Sequence, residues 1–214
     1  MSDKIFLIAL AISLLFEASF YVAIQIIYKS IEKKNFKLSN TFMFEVTPGF
    51  KDKNSFVNYM LLASVVISIA PYIYLLTQNA STFTISIAII SIVLAFCLVL
   101  LPFISFIRLK EHFYLSLGAL VSLFALFGME TYYGFHLYKY YLNDMYLIAG
   151  IVAVSLALIV LIGIINPKLF DLKNEVDESG QTKRKKFIFL AFTEWMMYPL
   201  ASLALVPILL ILIQ

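Results

Sequence analysis

Cysteine is nearly absent: Cys97 is the one thiol in 214 residues, and it lies inside an apolar run. A single cysteine excludes an intrachain disulfide and any cysteine-rich metal or iron–sulfur centre. Charge is scarce as well. Asp, Glu, Lys and Arg make up 14% of the chain, against about 25% in an ordinary soluble domain. The net charge of +3 is not gathered into a strongly basic domain, so no nucleic-acid partner is expected. The HExxH, GxSxG, Walker and GxGxxG spacings are all missing, which removes the usual motif-borne routes to metalloprotease, serine hydrolase and nucleotide chemistry. No Asp-rich motif points to prenyl or alcohol-phosphate transfer. No lysine lies between Phe187 and Gln214 to hold a retinal. His112 and His136 are the two histidines; they are predicted at opposite membrane surfaces and cannot share a haem iron. No cofactor and no metal are expected, and an enzyme is the less favoured class.

Apolar residues fill the space that charge leaves. They account for 62% of the chain, and the mean hydropathy is +0.94. A globular protein of this size leaves too much surface in water to hide that composition, whereas lipid suits it. Six continuous runs reach the roughly 20 residues that a helix needs to cross a ~30 Å hydrocarbon core: 5–28, 56–77, 83–107, 113–133, 145–165 and 187–213. The runs do not alternate as barrel strands do. The fold class is therefore an all-α integral membrane protein, a single transmembrane domain of about six helices. The first run resembles a signal sequence in position only. It is longer than the usual 7–15-residue apolar region and has no clean cleavage site, so it is expected to stay as a helix.

Basic residues set the expected orientation. The loops 29–55, 108–112 and 166–186 hold 14 of the 16 Lys and Arg residues, leaving Lys4 and Lys139 on the other side. Both termini are predicted on the non-cytoplasmic side and the three basic loops in the cytoplasm. Loop 29–55 carries Phe36, Leu38, Phe42, Met43, Phe44, Val46 and Phe50 among lysines, as expected of a segment that lies along the membrane surface, the favoured placement, or folds back under the bundle. Loop 166–186 is mixed in charge and reads as a charged surface loop. At its end Lys183, Arg184, Lys185 and Lys186 run into the sixth helix, where they are placed to attract anionic lipid headgroups. Tyr132, Tyr133, Tyr138, Tyr140, Tyr141 and Tyr146 gather at the opposite surface as an aromatic belt.

Ionisable groups deep in an apolar helix are costly to insert and mark function by default. Glu17 lies near the middle of the first run, and Glu194 about 10 Å inside the last, at 1.5 Å per residue. Ser13, Glu17, Tyr21 and Gln25 recur at i+4 and so share one helix face. Ser64, Ser68 and Tyr72 do the same beside Pro71, and Tyr198 follows Glu194 by one turn. Pro199 removes a backbone donor and frees a carbonyl near residue 195. These residues are expected to form a polar track in which Glu17 and Glu194 handle a proton or cation, with the competing role of helix–helix glue. Glu130, Tyr133 and His136 are candidates at the outer belt. The leading expectation is a small transporter, channel or ion-conducting subunit in a multi-pass arrangement in a cell membrane, most simply a prokaryotic one. The alternatives are a non-catalytic subunit that packs against partner membrane subunits or its own copies, and a lipid-modifying enzyme using the outer-belt trio.

Overall fold

The computed structural model describes residues 2–30, 37–39, 41–42, 56–103, 109–170, 175–176, 182–183 and 187–213. Six of its helical segments are long and apolar enough to cross a membrane. They are α1 (Ser2–Ser30), α2 (Phe56–Gln78), α3 (Thr82–Leu100), α4 (Leu109–Tyr141), α5 (Asp144–Ile165), and a sixth span built from α6 (Phe189–Leu203) and α7 (Leu205–Leu212). Helix is the local consequence of apolar runs in which every backbone group must find a partner within its own segment.

Two of the turns are tight and capped. Ser81 opens α3 with a capping box: its hydroxyl accepts from the Thr84 N–H at 3.2 Å, and Thr84 Oγ1 accepts from the Ser81 N–H at 2.9 Å. Asn143 caps α5 by accepting from the Met145 N–H at 3.0 Å. Between α4 and α5 the chain reverses through Leu142, whose φ of 50° is a left-handed conformation that a Leu side chain tolerates poorly.

Consecutive helices pack as neighbours, and the sixth span contacts α1, α2, α4 and α5. It is the most buried of the six: 56% of its apolar window is enclosed, against 28–44% for the others. Apolar side chains such as Leu15, Val66, Phe96 and Ile162 remain exposed on the outer helices, as a lipid-facing surface requires. Helices α4 and α5 approach closely at a pair of glycines. A Cβ added at Gly134 would lie 2.8 Å from the Gly150 nitrogen and 2.9 Å from its Cα. Ala149, Gly150, Ala153 and Ala157 line the buried face of α5, the small-residue pattern by which membrane helices approach closely.

Three features differ from the favoured sequence expectation. Helix α4 starts at Leu109 and ends at Tyr141, not 113–133; its 33 residues span about 50 Å, more than the hydrocarbon core. The sixth span runs from Phe189 to Leu212 as expected, with a one-residue interruption at Ala204 between α6 and α7, where the backbone keeps right-handed helical angles and the Ala204 N–H donates to Leu200 O at 3.0 Å. Pro207 explains the break: it has no N–H, and its ring crowds the carbonyl of Leu203 four residues earlier. In loop 29–55, Phe42 is buried at 3% exposure against the core, so this point takes the less favoured of the two expected placements, folded back under the bundle. Two backbone contacts hold it there: the Ile188 N–H donates to Ser39 O at 2.6 Å, and the Trp195 indole donates to Thr41 O at 2.7 Å. Loop 166–186 contains a 3₁₀ turn, Pro167–Phe170, and a two-residue antiparallel ladder, Glu175–Val176 with Thr182–Lys183. Arg184, Lys185 and Lys186, and the apolar residues Phe36, Met43, Phe44, Val46 and Phe50, lie outside the described residues.

Candidate functional site

Three glutamates are enclosed in the bundle. Glu130 and Glu194 are fully buried, and Glu17 is 3% exposed. They come from α1, α4 and α6; Glu17 meets the sixth span directly, Glu194 belongs to it, and Glu130 is linked to it through Tyr72. Glu17 Oε1 accepts from the Ser202 hydroxyl at 2.6 Å. Glu194 belongs to that span and reaches out of it: its Oε1 lies 2.6 Å from His112 Nε2 and 3.1 Å from the Ser116 hydroxyl, both on α4. Glu130 Oε1 lies 2.9 Å from the Tyr72 hydroxyl, which is itself 2.7 Å from the carbonyl of Ala204 at the helix break. Eight residues separate Glu194 from Ser202, about 12 Å of helix rise, and Ala204 is about 3 Å further along. Contacts to the three sites are thus spread over about 15 Å of the sixth span.

Hydrogen-bond donors surround these carboxyls, and among the described residues no lysine or arginine forms an ion pair with Glu17 or Glu130. Burying a carboxylate in so apolar a setting is costly unless it is protonated or fully bonded. Two oxygens are bonded to nothing: Glu17 Oε2 and Glu130 Oε2 are buried with no hydrogen-bond partner. Ser64 faces the Glu17 carboxyl from α2, although its own hydroxyl donates to Leu61 O at 2.8 Å. Tyr198 is near enough to interact with both Glu194 and Glu17, so it sits between the two sites.

The expected track separates into two kinds of residue. Ser13, Ser64 and Ser68 are buried but donate to carbonyls three residues back on their own helices. Tyr21 and Tyr198 cap carbonyls that prolines leave vacant. The Tyr21 hydroxyl donates to Trp195 O at 2.7 Å, four residues before Pro199. The Tyr198 hydroxyl donates to Leu98 O at 2.8 Å, four residues before Pro102. In each case the phenol replaces the missing proline N–H. Gln25, on the same stripe as Glu17, is exposed. Tyr72 is the track residue that touches a carboxyl directly.

The outer-belt trio does not converge. Glu130 points inward to Tyr72. Tyr133 stacks on Phe83 at 3.9 Å, and His136 is exposed between Tyr132 and Tyr140, at 5.6 and 4.8 Å. Steps of three residues rotate each successive side chain about 60° around a helix of 3.6 residues per turn, which separates the three. Glu130 is also not at the end of its helix, because α4 continues eleven residues beyond it.

His112 and Ser116 are the site residues that the sequence reading missed. His112 falls in a charged stretch that reads as a loop, yet it is fully buried in the first turns of α4, with Phe42 edge-on to its ring at 6.0 Å. The signal that could have found it is register: His112, Ser116 and Glu130 lie at spacings of four and fourteen, which close on one helical face at 3.6 residues per turn. Among the described residues, no group of three or more His, Cys, Asp or Glu is arranged to hold a metal ion. Compared with known proteins, the chain matches no family model, no curated protein and no solved structure.

Proposed function

We propose that this chain is a proton-handling membrane protein, a small carrier or a proton-conducting subunit. In this reading Glu17 is the central group, Glu194 serves the basic-loop side and Glu130 the side of the termini. One observation carries it: three enclosed carboxyls, gathered around the sixth span, are bonded to hydroxyl, phenol and imidazole groups. Ionisable groups at such depth are expensive and mark ion or proton pathways.

A proton suits the geometry better than a metal cation. A metal cation takes several oxygen ligands, whereas among the described residues Glu17 meets the hydroxyl of Ser202 and no second carboxyl. The exchangeable species is then the hydrogen on the carboxyl itself. The orientation with basic loops in the cytoplasm and the placement in a prokaryotic cell membrane belong to the same proposal. So does the attraction of anionic headgroups to Lys183, Arg184, Lys185 and Lys186.

The runner-up is a non-catalytic subunit of a larger assembly, and the two tyrosine–carbonyl caps favour it, because they hold helices together without chemistry. Proteoliposomes distinguish the two. Under an imposed pH gradient the carrier reading expects proton flux above empty vesicles and none driven by an equal sodium gradient. Sodium flux would reject the proton assignment. No flux of either ion from correctly folded protein would favour the subunit.

A further inference from the structure

Tyr72 has one phenolic hydrogen and two close oxygen neighbours, Ala204 O at 2.7 Å and Glu130 Oε1 at 2.9 Å. A backbone carbonyl can only accept. The shorter contact therefore takes the phenolic hydrogen, since two bare oxygens do not rest at 2.7 Å. The contact to Glu130 then needs a second hydrogen, and the carboxyl is the group that can supply it. The environment agrees: Glu130 is fully buried, and its Oε2 has no hydrogen-bond partner. The titratable group acting on it is Tyr72 from α2. Among the described residues none acts on it from the other packed elements: α3 offers Cys97, which faces Gly118; α5 offers Tyr146, which packs on Tyr141; α6 offers Glu194, which faces His112.

From this geometry we infer that Glu130 carries a proton in this conformation, and that Tyr72 transmits the loss of that proton to the break in the sixth span. The inference rests on the proton-handling reading and assigns the proton itself as the ligand of this site. When the O–H bond of Glu130 breaks, the proton leaves to solvent water and the electron pair stays on Oε1. The carboxylate is then a charge-assisted acceptor, stronger than a neutral carbonyl. The phenolic hydrogen turns from Ala204 O to Glu130 Oε1, and the tie between α2 and the break is lost. Ala204 is where such a tie matters, because Pro207 deprives the adjacent Leu203 carbonyl of its ladder bond, and helices bend at prolines.

The test uses the full chain in lipid nanodiscs. The infrared difference between wild type and Glu130→Gln should contain the C=O stretch of a protonated carboxyl, and Tyr72→Phe should shift that band. Spin labels at Gln78→Cys and Ile213→Cys, in a Cys97→Ser background, report the position of α7 against α2. In the wild type the label distance should change over the same pH interval in which the band is lost. Glu130→Gln, whose amide still donates to Tyr72, should hold the original distance at every pH. Tyr72→Phe should show the changed distance throughout. Absence of a Glu130 carboxyl band, or a label distance in the wild type that ignores loss of the band, overturns the inference, and the wild-type titration decides it even if a variant misfolds. Flux is measured separately. A chain with the band and the movement but no flux loses the transport reading alone, and one with proton flux but no band loses this inference alone.

Discussion

The hydroxyl of Tyr21 on α1 donates to the carbonyl of Trp195 on α6 at 2.7 Å, and that carbonyl is the one Pro199 leaves without a donor. The bond should therefore matter only while the proline is present. Tyr21→Phe should lower stability by about 1 kcal/mol, within the range for hydrogen bonds between membrane helices. In a Pro199→Ala background the restored N–H satisfies the same carbonyl, and the loss should shrink. Unfolding of the two single variants and the double variant in bicelles measures the coupling. Equal losses in both backgrounds would show that Tyr21 is not a proline cap. Tyr198 and Pro102 form the parallel case through Leu98 O.

Gly134 should be intolerant of a single methyl. Its Cβ would meet Gly150 backbone atoms at 2.8 and 2.9 Å, and backbone cannot move aside as a side chain does. Gly134→Ala should cost about 1–3 kcal/mol, as overpacking does. Gly128, on the same helix, has nothing within 4 Å of its added Cβ, so Gly128→Ala should be neutral or stabilise by up to about 1 kcal/mol through helix propensity. Thermal unfolding of the two variants side by side checks the contrast.

His112 and Glu194 are fully buried and 2.6 Å apart. Removing one member of a buried pair commonly costs about 3–5 kcal/mol, whereas replacing both with apolar side chains costs much less. His112→Leu should accordingly be severe, and His112→Leu combined with Glu194→Met should recover much of the loss. Chemical denaturation of the three variants tests this. A double variant worse than the single one would indicate that other contacts dominate the site.

Phe42 covers His112 from the side of the basic loops. In a Cys97→Ser background, a thiol placed at Ser116 should react slowly with a membrane-impermeant maleimide added on that side. Phe42→Ala should accelerate the reaction, with a cavity cost of roughly 3–5 kcal/mol at most. An unchanged labelling rate would mean that Phe42 does not seal this end.

Much of the fold was legible because it rests on length and solvent. Runs of apolar residues give helices in lipid whatever their partners, and six such runs became six spans. The ends were less legible. The first turn of α4 holds Lys110, Glu111 and His112, which read as a loop by composition, so a buried histidine passed for a surface one. The break at Ala204 lay hidden in an uninterrupted apolar run, although Pro207 was in view. For the site, depth alone singled out Glu17 and Glu194, and Pro199 marked the freed carbonyl of Trp195. Which hydroxyl would fill that carbonyl, and that Glu130 would turn inward to Tyr72, depend on how helices far apart in sequence are rotated against one another. Helical periodicity fixes the face of one helix but not its partner across the bundle.

The central claim is that buried carboxyls gathered around the sixth span handle protons, and its most direct test is proton flux in proteoliposomes under an imposed pH gradient. The wild-type chain should acidify the vesicle lumen faster than empty vesicles, and Glu17→Gln, folded to the same melting temperature, should fall to the empty-vesicle rate. Undiminished flux through Glu17→Gln would contradict the claim and leave Glu17, with its Ser202 bond, as a structural tie between α1 and α6.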